Sequence, residues 1–453
     1  MKYYLAVFIL ITLHFVILIN IQFTAWPEMF SYPYLLSNGF KLYQDIALPY
    51  QPVLPFILEK LYKFFGYNLS VLQAFTWFVI LINDILIFLI SIRLIGKKLI
   101  SLVPLAVYVL FQPLTEGNML WFDLATTPFI LLGVLLLLFL KNYKNFFWFG
   151  FFLSLSFFIK QQTGILYLLL IIYLIFKKKF NEVFYIFAGS IVPIIFVLFY
   201  ILLNGTLKDY IFWTIEVPLI WYPRFPGYIN SPSIQDTIII ALLFTPIILA
   251  ALKLLKEFDI AFGVTFFLFL GAFTAAFPRF EFFRFQPALI LYIVLLVYIL
   301  PSMKQKVKIL IISAIVLSMA LLLKANLHLF GLPTRFYGER EVLVSQKIKQ
   351  IVEPSDKIFI LNEHSLFYVL GGFFPPKPWV DNYVWYMEIE GIQDKVIEGF
   401  KKDPPRLILR KPTQNGNWYD LRTYEPKKIT EYIQKNYEKV DNIDKDLEIW
   451  ERH

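Results

Sequence analysis

Residues 26–68 read WPEMFSYPYLLSNGFKLYQDIALPYQPVLPFILEKLYKFFGYN and separate two apolar runs, 4–23 and 69–92. Proline and glycine cut the stretch into short pieces. Its aromatics are spread throughout, and Glu28 and Asp45 are among its acids. A long amphipathic segment of this composition suits the surface of a membrane. The flanking runs are longer than the apolar core of a signal peptide, about 7–15 residues, and no small-residue cleavage site follows the first. The first run is therefore read as an uncleaved helix.

The rest of the chain supports a membrane reading. Of 453 residues, 58% are hydrophobic and 17% charged, against about 45–50% and about 25% in soluble proteins. One aqueous core does not absorb that excess; lipid does. Eleven apolar segments are expected: 4–23, 69–92, 99–113, 124–140, 146–159, 164–176, 183–203, 237–252, 260–277, 286–300 and 309–323. As helices, 99–113, 146–159 and 164–176 would reach roughly 20–22 Å against a hydrocarbon core of about 30 Å. Either polar flanks lie within the membrane, these helices line a wet cavity, or their boundaries extend further.

Lysine and arginine set the orientation. One set of very short loops holds Lys2; Arg93, Lys97 and Lys98; Lys141 and Lys144; Lys177, Lys178 and Lys179; Lys253 and Lys256; and Lys304, Lys306 and Lys308. The opposite set, Lys41, Lys60, Lys63, Lys160, Lys208, Arg224, Arg279 and Arg284, is spread over longer loops. This predicts residence in the plasma membrane with a cytoplasmic N-terminus and an extracytoplasmic tail. The net charge of +9 is thus a topology signal rather than a sign of a nucleic-acid partner. Cysteine is absent, which removes disulfides, thiol nucleophiles and cysteine metal sites. The four histidines show no ligand spacing.

From about residue 326 the composition becomes that of a soluble protein. KIFIL (357–361), RLILR (406–410) and LEIW (447–450) read as buried strands, and 339–353, 394–402 and 429–440 as amphipathic helices. The expected organisation is an α-helical polytopic domain over 1–325, with external loops 24–68 and 204–236, and a small extracytoplasmic α/β domain over 326–453.

Charges at the membrane edge are costly and therefore informative. On the external side they are Glu28, Asp45, Glu116 and Asp123, then Lys160 in IKQQTG and Arg279 and Arg284 in PRFEFFRFQP. Carboxylates can act as a general base, and cations can neutralise a phosphate. Taken singly, each is also a helix cap or an interfacial charge; Asp123 suits an N-cap and Lys160 a snorkelling side chain. Asp84, within the segment 69–92, reads as a helix–helix packing residue.

These residues resemble the GT-C membrane glycosyltransferases, near the group of protein O-mannosyltransferases and lipid A aminoarabinose transferase (family 39-like). The likeness is carried by Glu28, Tyr34-Leu35-Leu36, Gly39, Leu42-Tyr43, Asp45, and Pro49, Pro52 and Pro55 in the first loop. Asp123, the KQQTG stretch and PRFEFFRFQPALILY at the start of a late helix extend it over most of the chain. The departure is a lone Glu28 where an Asp or an Asp-Glu pair is usual, which leaves the base open between Glu28 and Asp45.

The resemblance implies a membrane glycosyltransferase, hexosyl or pentosyl, taking a monosaccharide from a polyprenyl-phosphate donor to an extracytoplasmic acceptor hydroxyl on a lipid, glycan or protein. It implies inversion, with Glu28, Asp123 and Asp45 as the catalytic carboxylates and Lys160, Arg279 and Arg284 on the donor phosphate. No cofactor is required; a divalent ion, Mg or Mn, between carboxylates is compatible with the pattern. The alternative is a transporter or flippase of lipid-linked saccharides without chemistry, which needs ionisable groups near the midplane and often repeated halves. No internal repeat is evident.

Overall fold

The structure, a computed structural model, describes residues 2–96, 98–139, 143–225, 227–255, 257, 259–277, 279–353, 356–412 and 425–453. Three cations used for the orientation, Lys97, Lys141 and Lys256, lie outside the described residues. The chain divides into two compact units. The first comprises Met1–Thr24, Leu72–Phe199 and Ile229–Pro333; the second comprises Ala25–Val71, Tyr200–Tyr228 and Thr334–His453.

Every expected apolar segment is helical: Lys2–Asn20, Leu69–Ile95, Val103–Gln112, Phe122–Phe139, Lys144–Phe157, Gly164–Phe176, Phe180–Asn204, Ile234–Leu254, Ile260–Ala275, Gln286–Ser302 and Gln305–Asn326. In lipid only hydrogen bonds within the helix satisfy its backbone, so apolar runs this long have little alternative. Eight helical stretches among the described residues are long and apolar enough to cross a membrane. The protein is an integral membrane protein. The expected short segment 99–113 extends through irregular turns to Leu99–Gly117 and joins those eight. Gln161–Phe176 and Ile260–Ala275 are apolar but shorter.

The first unit packs around Gln286–Ser302, in which Gln286 through Leu300 are all buried. Close approach of backbones helps: a Cβ on Gly150 would collide with the Ile186 carbonyl, and one on Gly189 with the Phe147 carbonyl. Helices Lys144–Phe157 and Phe180–Asn204 therefore meet through small residues, the usual device where lipid offers no hydrophobic drive. Asp84 has the packing role expected of it. Its Oδ2 lies 3.0 Å from His14 Nδ1, and His14 Nε2 lies 3.2 Å from Gln112 Oε1. Three helices are joined through fully buried polar groups.

The second unit gathers three separated segments. Its sheet has the strands β1 (Ile358–Leu361), β2 (Leu407–Arg410), β3 (Tyr437–Asp444) and β4 (Leu447–Arg452), in the order β1-β2-β4-β3. β1 and β2 are parallel, with Ile358 opposite Leu407; β4 is antiparallel to both β2 and β3. The expected strands and the helices Glu339–Ile351 and Ile392–Lys402 are present. The expected helix 429–440 is a correction: Lys427–Asn436 is helical, and Tyr437 onward is β3. The backbone of Tyr437–Asp444 is drawn into pairing with β4, which outweighs the helical spacing of its apolar residues. Helix Glu28–Ser37 packs on the tail, with Ser31 Oγ 2.9 Å from Ser365 Oγ and the Tyr34 ring stacked on Phe374 at 5.4 Å.

Candidate active site

Four of the expected residues fall in the first unit. Asp123 lies in the first turn of helix Phe122–Phe139. Lys160 follows helix Lys144–Phe157 in an extended conformation, φ −145°. Its backbone N–H donates to Ser156 O at 3.0 Å, and Thr163 N–H closes the next turn on Lys160 O at 3.1 Å. This is what the KQQTG stretch does locally: one extended residue between two helical turns aims the ammonium. Lys160 Nζ donates to both Asp123 oxygens, at 2.6 and 2.5 Å. Both residues are buried, Lys160 at 2% and Asp123 at 4% exposure. Asp123 thus holds a cation; it is not the N-cap that its position suggested, and its helix has its first turn clamped to the KQQTG loop.

Arg279 and Arg284 converge on Glu281. Arg279 Nε donates to Glu281 Oε1 at 3.3 Å and Arg284 Nε to Oε2 at 2.8 Å. Burial pushes the Glu281 carboxyl up, but the two guanidiniums outweigh it and hold it below its usual value. Arg284 and Glu281 are near enough to Lys160 to act on its charge. Burial lowers the Lys160 ammonium to about 8, Asp123 opposes that, and Arg284 adds to it. The structure therefore brings Asp123, Lys160, Arg284 and Arg279 into one charged cluster. Glu116 is exposed.

Glu28 and Asp45 fall in the second unit, in different settings. Asp45 Oδ2 accepts from Lys377 Nζ at 2.8 Å and from the Lys41 N–H at 3.0 Å. It closes the turn that starts at Lys41 and pairs with an exposed lysine. Glu28 is 2% exposed. Its Oε1 accepts from the Tyr383 hydroxyl at 2.8 Å, and its Oε2 is buried without a hydrogen-bond partner. Burial first, and then the charge of Asp381, raise Glu28 to about 8. Asp381 is raised to about 6 by burial, against the Asn382 N–H and the charge of His364.

The same unit holds a polar network, largely buried, that the sequence did not reveal. Lys411 Nζ donates to Glu363 Oε2 at 3.0 Å, Arg340 Nη2 to the same oxygen at 3.3 Å, and Asn382 Nδ2 to Asn362 Oδ1 at 2.6 Å. Asp381 stands in WVDNYVWY (379–386). A carboxylate framed by aromatics within an otherwise ordinary soluble tail is the signal that could have found it. Glu281 was visible between the two arginines of PRFEFFRFQP, where it had no assigned role. Among the described residues no three His, Asp or Glu side chains gather as a metal-ligand set.

The solved structure of ArnT from Cupriavidus metallidurans bound to undecaprenyl phosphate superposes with a TM-score of 0.65, covering 98% of this chain and 97% of that one at 10% identity. Its apo state gives 0.62, 97% and 95% at 9% identity. The chain has a GT-C fold. An oligosaccharyltransferase from Archaeoglobus fulgidus, in the apo form, shares it with a TM-score of 0.53, over 90% of this chain and 69% of that one at 9% identity. At such identities the likeness is one of fold. No family model and no curated protein matches the sequence. The GT-C fold was nonetheless legible from the pattern of apolar spans and loosely spaced motifs, and it is shared at only 9–10% identity.

Proposed function

We propose that the protein is a membrane glycosyltransferase that moves a monosaccharide from a polyprenyl-phosphate donor to an acceptor hydroxyl on a lipid, glycan or protein, with inversion, on the extracytoplasmic side. The observation that carries this reading is the whole-length likeness to a transferase structure holding undecaprenyl phosphate. The catalytic domain in this reading is 1–325 with its external loops, and 326–453 is the extracytoplasmic α/β domain.

Charges in the first unit suit the leaving group. A departing lipid phosphate gains negative charge, and fixed cations in a poorly hydrated setting stabilise it. Lys160 supplies a point charge, and Arg279 and Arg284 supply planar donors that engage two phosphate oxygens at once. Asp123 acts through Lys160, holding the ammonium by both oxygens. A carboxyl of the chain takes the proton of the acceptor hydroxyl. Glu28 is the better base of the two candidates, since Asp45 is engaged by Lys377 and its own turn. The attacking oxygen comes from the acceptor, so the reaction inverts the anomeric centre and forms no covalent enzyme intermediate. A Mg or Mn ion, if used, would draw on substrate oxygens as well as side chains.

A flippase of lipid-linked saccharides is the second reading, favoured by the ionisable His14–Asp84 pair inside the helix bundle. Purified protein in lipid, supplied with a panel of polyprenyl-phosphate sugars and candidate acceptors, separates the two: the transferase releases polyprenyl phosphate and the flippase leaves every donor intact.

A further inference from the structure

We propose that Glu28 and Asp381 act as one buried carboxyl pair holding a single proton, in which Asp381, brought from the chain's tail, sets the protonation of Glu28. This deepens the glycosyltransferase reading and rests on it for the role of Glu28. Asp381 is a positioning residue: it acts through Glu28.

The geometry has three parts. Both side chains are buried, and each has one oxygen, Glu28 Oε2 and Asp381 Oδ2, enclosed without a hydrogen-bond partner. Both are tied to one residue, since the Tyr383 hydroxyl donates to Glu28 Oε1 and the Tyr383 N–H donates to the Asp381 carbonyl, each at 2.8 Å. Among the described ion pairs, neither carboxyl has a cation. Two enclosed carboxyls without a counter-charge do not both ionise near neutral pH; one keeps a proton.

The remaining titratable groups agree with that state. Tyr32 on the Glu28 helix, Tyr368 on helix Leu366–Gly371 and Tyr386 on helix Val384–Met387 are held neutral by burial. The Tyr383 hydroxyl keeps its proton and donates a hydrogen bond to Glu28. His364 acts on Asp381, but its Nε2 lies 3.6 Å from Glu363 and 3.8 Å from Glu341, so the ring is engaged by that network. The raised values of both carboxyls have burial as their first cause and, for Glu28, Asp381 as the second.

In the transfer step the acceptor oxygen forms a bond to the anomeric carbon. Its proton passes to the Glu28 carboxylate, the pair's single proton then lying on Asp381. The bond from the anomeric carbon to the phosphate oxygen breaks, and its electron pair leaves with polyprenyl phosphate. The pair then holds two protons and returns one to water.

Two measurements test the pair. In the wild type at pH 7, infrared difference spectroscopy should show the carbonyl stretch of one protonated buried carboxyl. Glu28→Gln and Asp381→Asn should each make that band vanish or titrate at lower pH. In the pH profile of kcat/KM, Asp381→Asn should move the acid limb to lower pH by about one unit or more, while Glu28→Gln lowers turnover about a hundredfold at every pH. A band that behaves as described in a protein that transfers no sugar would overturn the glycosyltransferase reading and leave the pair standing. Transfer that needs Glu28 but shows no such band, or an acid limb unmoved in Asp381→Asn, would overturn the pair. The wild-type band needs no variant, so an Asp381→Asn protein that fails to fold leaves the spectroscopic test decisive.

Discussion

Glu28→Gln should make the protein more stable at alkaline pH while removing its transfer activity. Glutamine keeps an oxygen to accept from the Tyr383 hydroxyl, and it places an amide donor where Oε2 is now enclosed without a partner. The magnitude follows from the position of the carboxyl. Its value rises from 4.5 to about 8 on folding, and at ~1.4 kcal/mol per pH unit ionising it in the folded state costs ~5 kcal/mol at most. The sign is that of a carboxyl raised by folding. Below 4.5 both states are protonated and Glu28 costs nothing. As pH rises the unfolded chain loses the proton first and stability falls, until above about 8 the folded state has ionised too and the loss is complete. Unfolding midpoints of wild type and Glu28→Gln in detergent, followed from pH 5 to pH 9, should therefore lie close together at pH 5 and diverge in favour of glutamine by pH 9. A glutamine variant that is less stable by the same amount at every pH would refute the reasoning, because it would make Glu28 a net stabiliser whose charge is accommodated.

The remaining expectations concern the charged cluster, the other acids and the topology. Lys160→Met and Arg284→Met should each weaken donor binding or turnover, Arg284→Lys should rescue only part of the loss, and Lys208→Met should change little; donor titrations of the release rate measure all four. Asp123→Asn should lower turnover about a hundredfold through the loss of Lys160 positioning, whereas Asp45→Asn, paired as it is with exposed Lys377, should keep most of it; equal losses in single-turnover assays would return Asp45 to candidacy as the base. An alkaline phosphatase fused to the C-terminus should be active and a cytoplasmic fluorescent reporter dark, the reverse pattern overturning the orientation.

The spans were legible because lipid permits so few answers: an apolar run such as 183–203 has no alternative to a helix, and Phe180–Asn204 is one. The assembly of the second unit was not legible. Segments 25–71, 200–228 and 334–453 join through contacts such as Ser31–Ser365 and Asp45–Lys377, and nothing in local spacing announces partners more than three hundred residues apart. For the same reason Glu28 was visible and Asp381 was not. The acid after the first helix stands out against apolar neighbours, while the tail has many acids; among its described acids Asp381 and Glu363 are both buried, and Glu363 is paired with Lys411. Lys160 and Arg284 were nameable as cations and Asp123 as an acid before its helix, but the pairing of Asp123 with Lys160 was not legible, because it spans two helices. The strand β3 escaped because its apolar residues keep the spacing of the preceding helix.

The most direct measurement is the fate of a polyprenyl-phosphate sugar labelled in both sugar and lipid, presented to the purified protein in proteoliposomes with acceptor extracts. The account predicts that the sugar label moves to an acceptor while an equal amount of labelled polyprenyl phosphate appears, and that neither happens with Glu28→Gln. Intact donor crossing the bilayer with both labels still joined, at a rate that Glu28→Gln leaves unchanged, would contradict it.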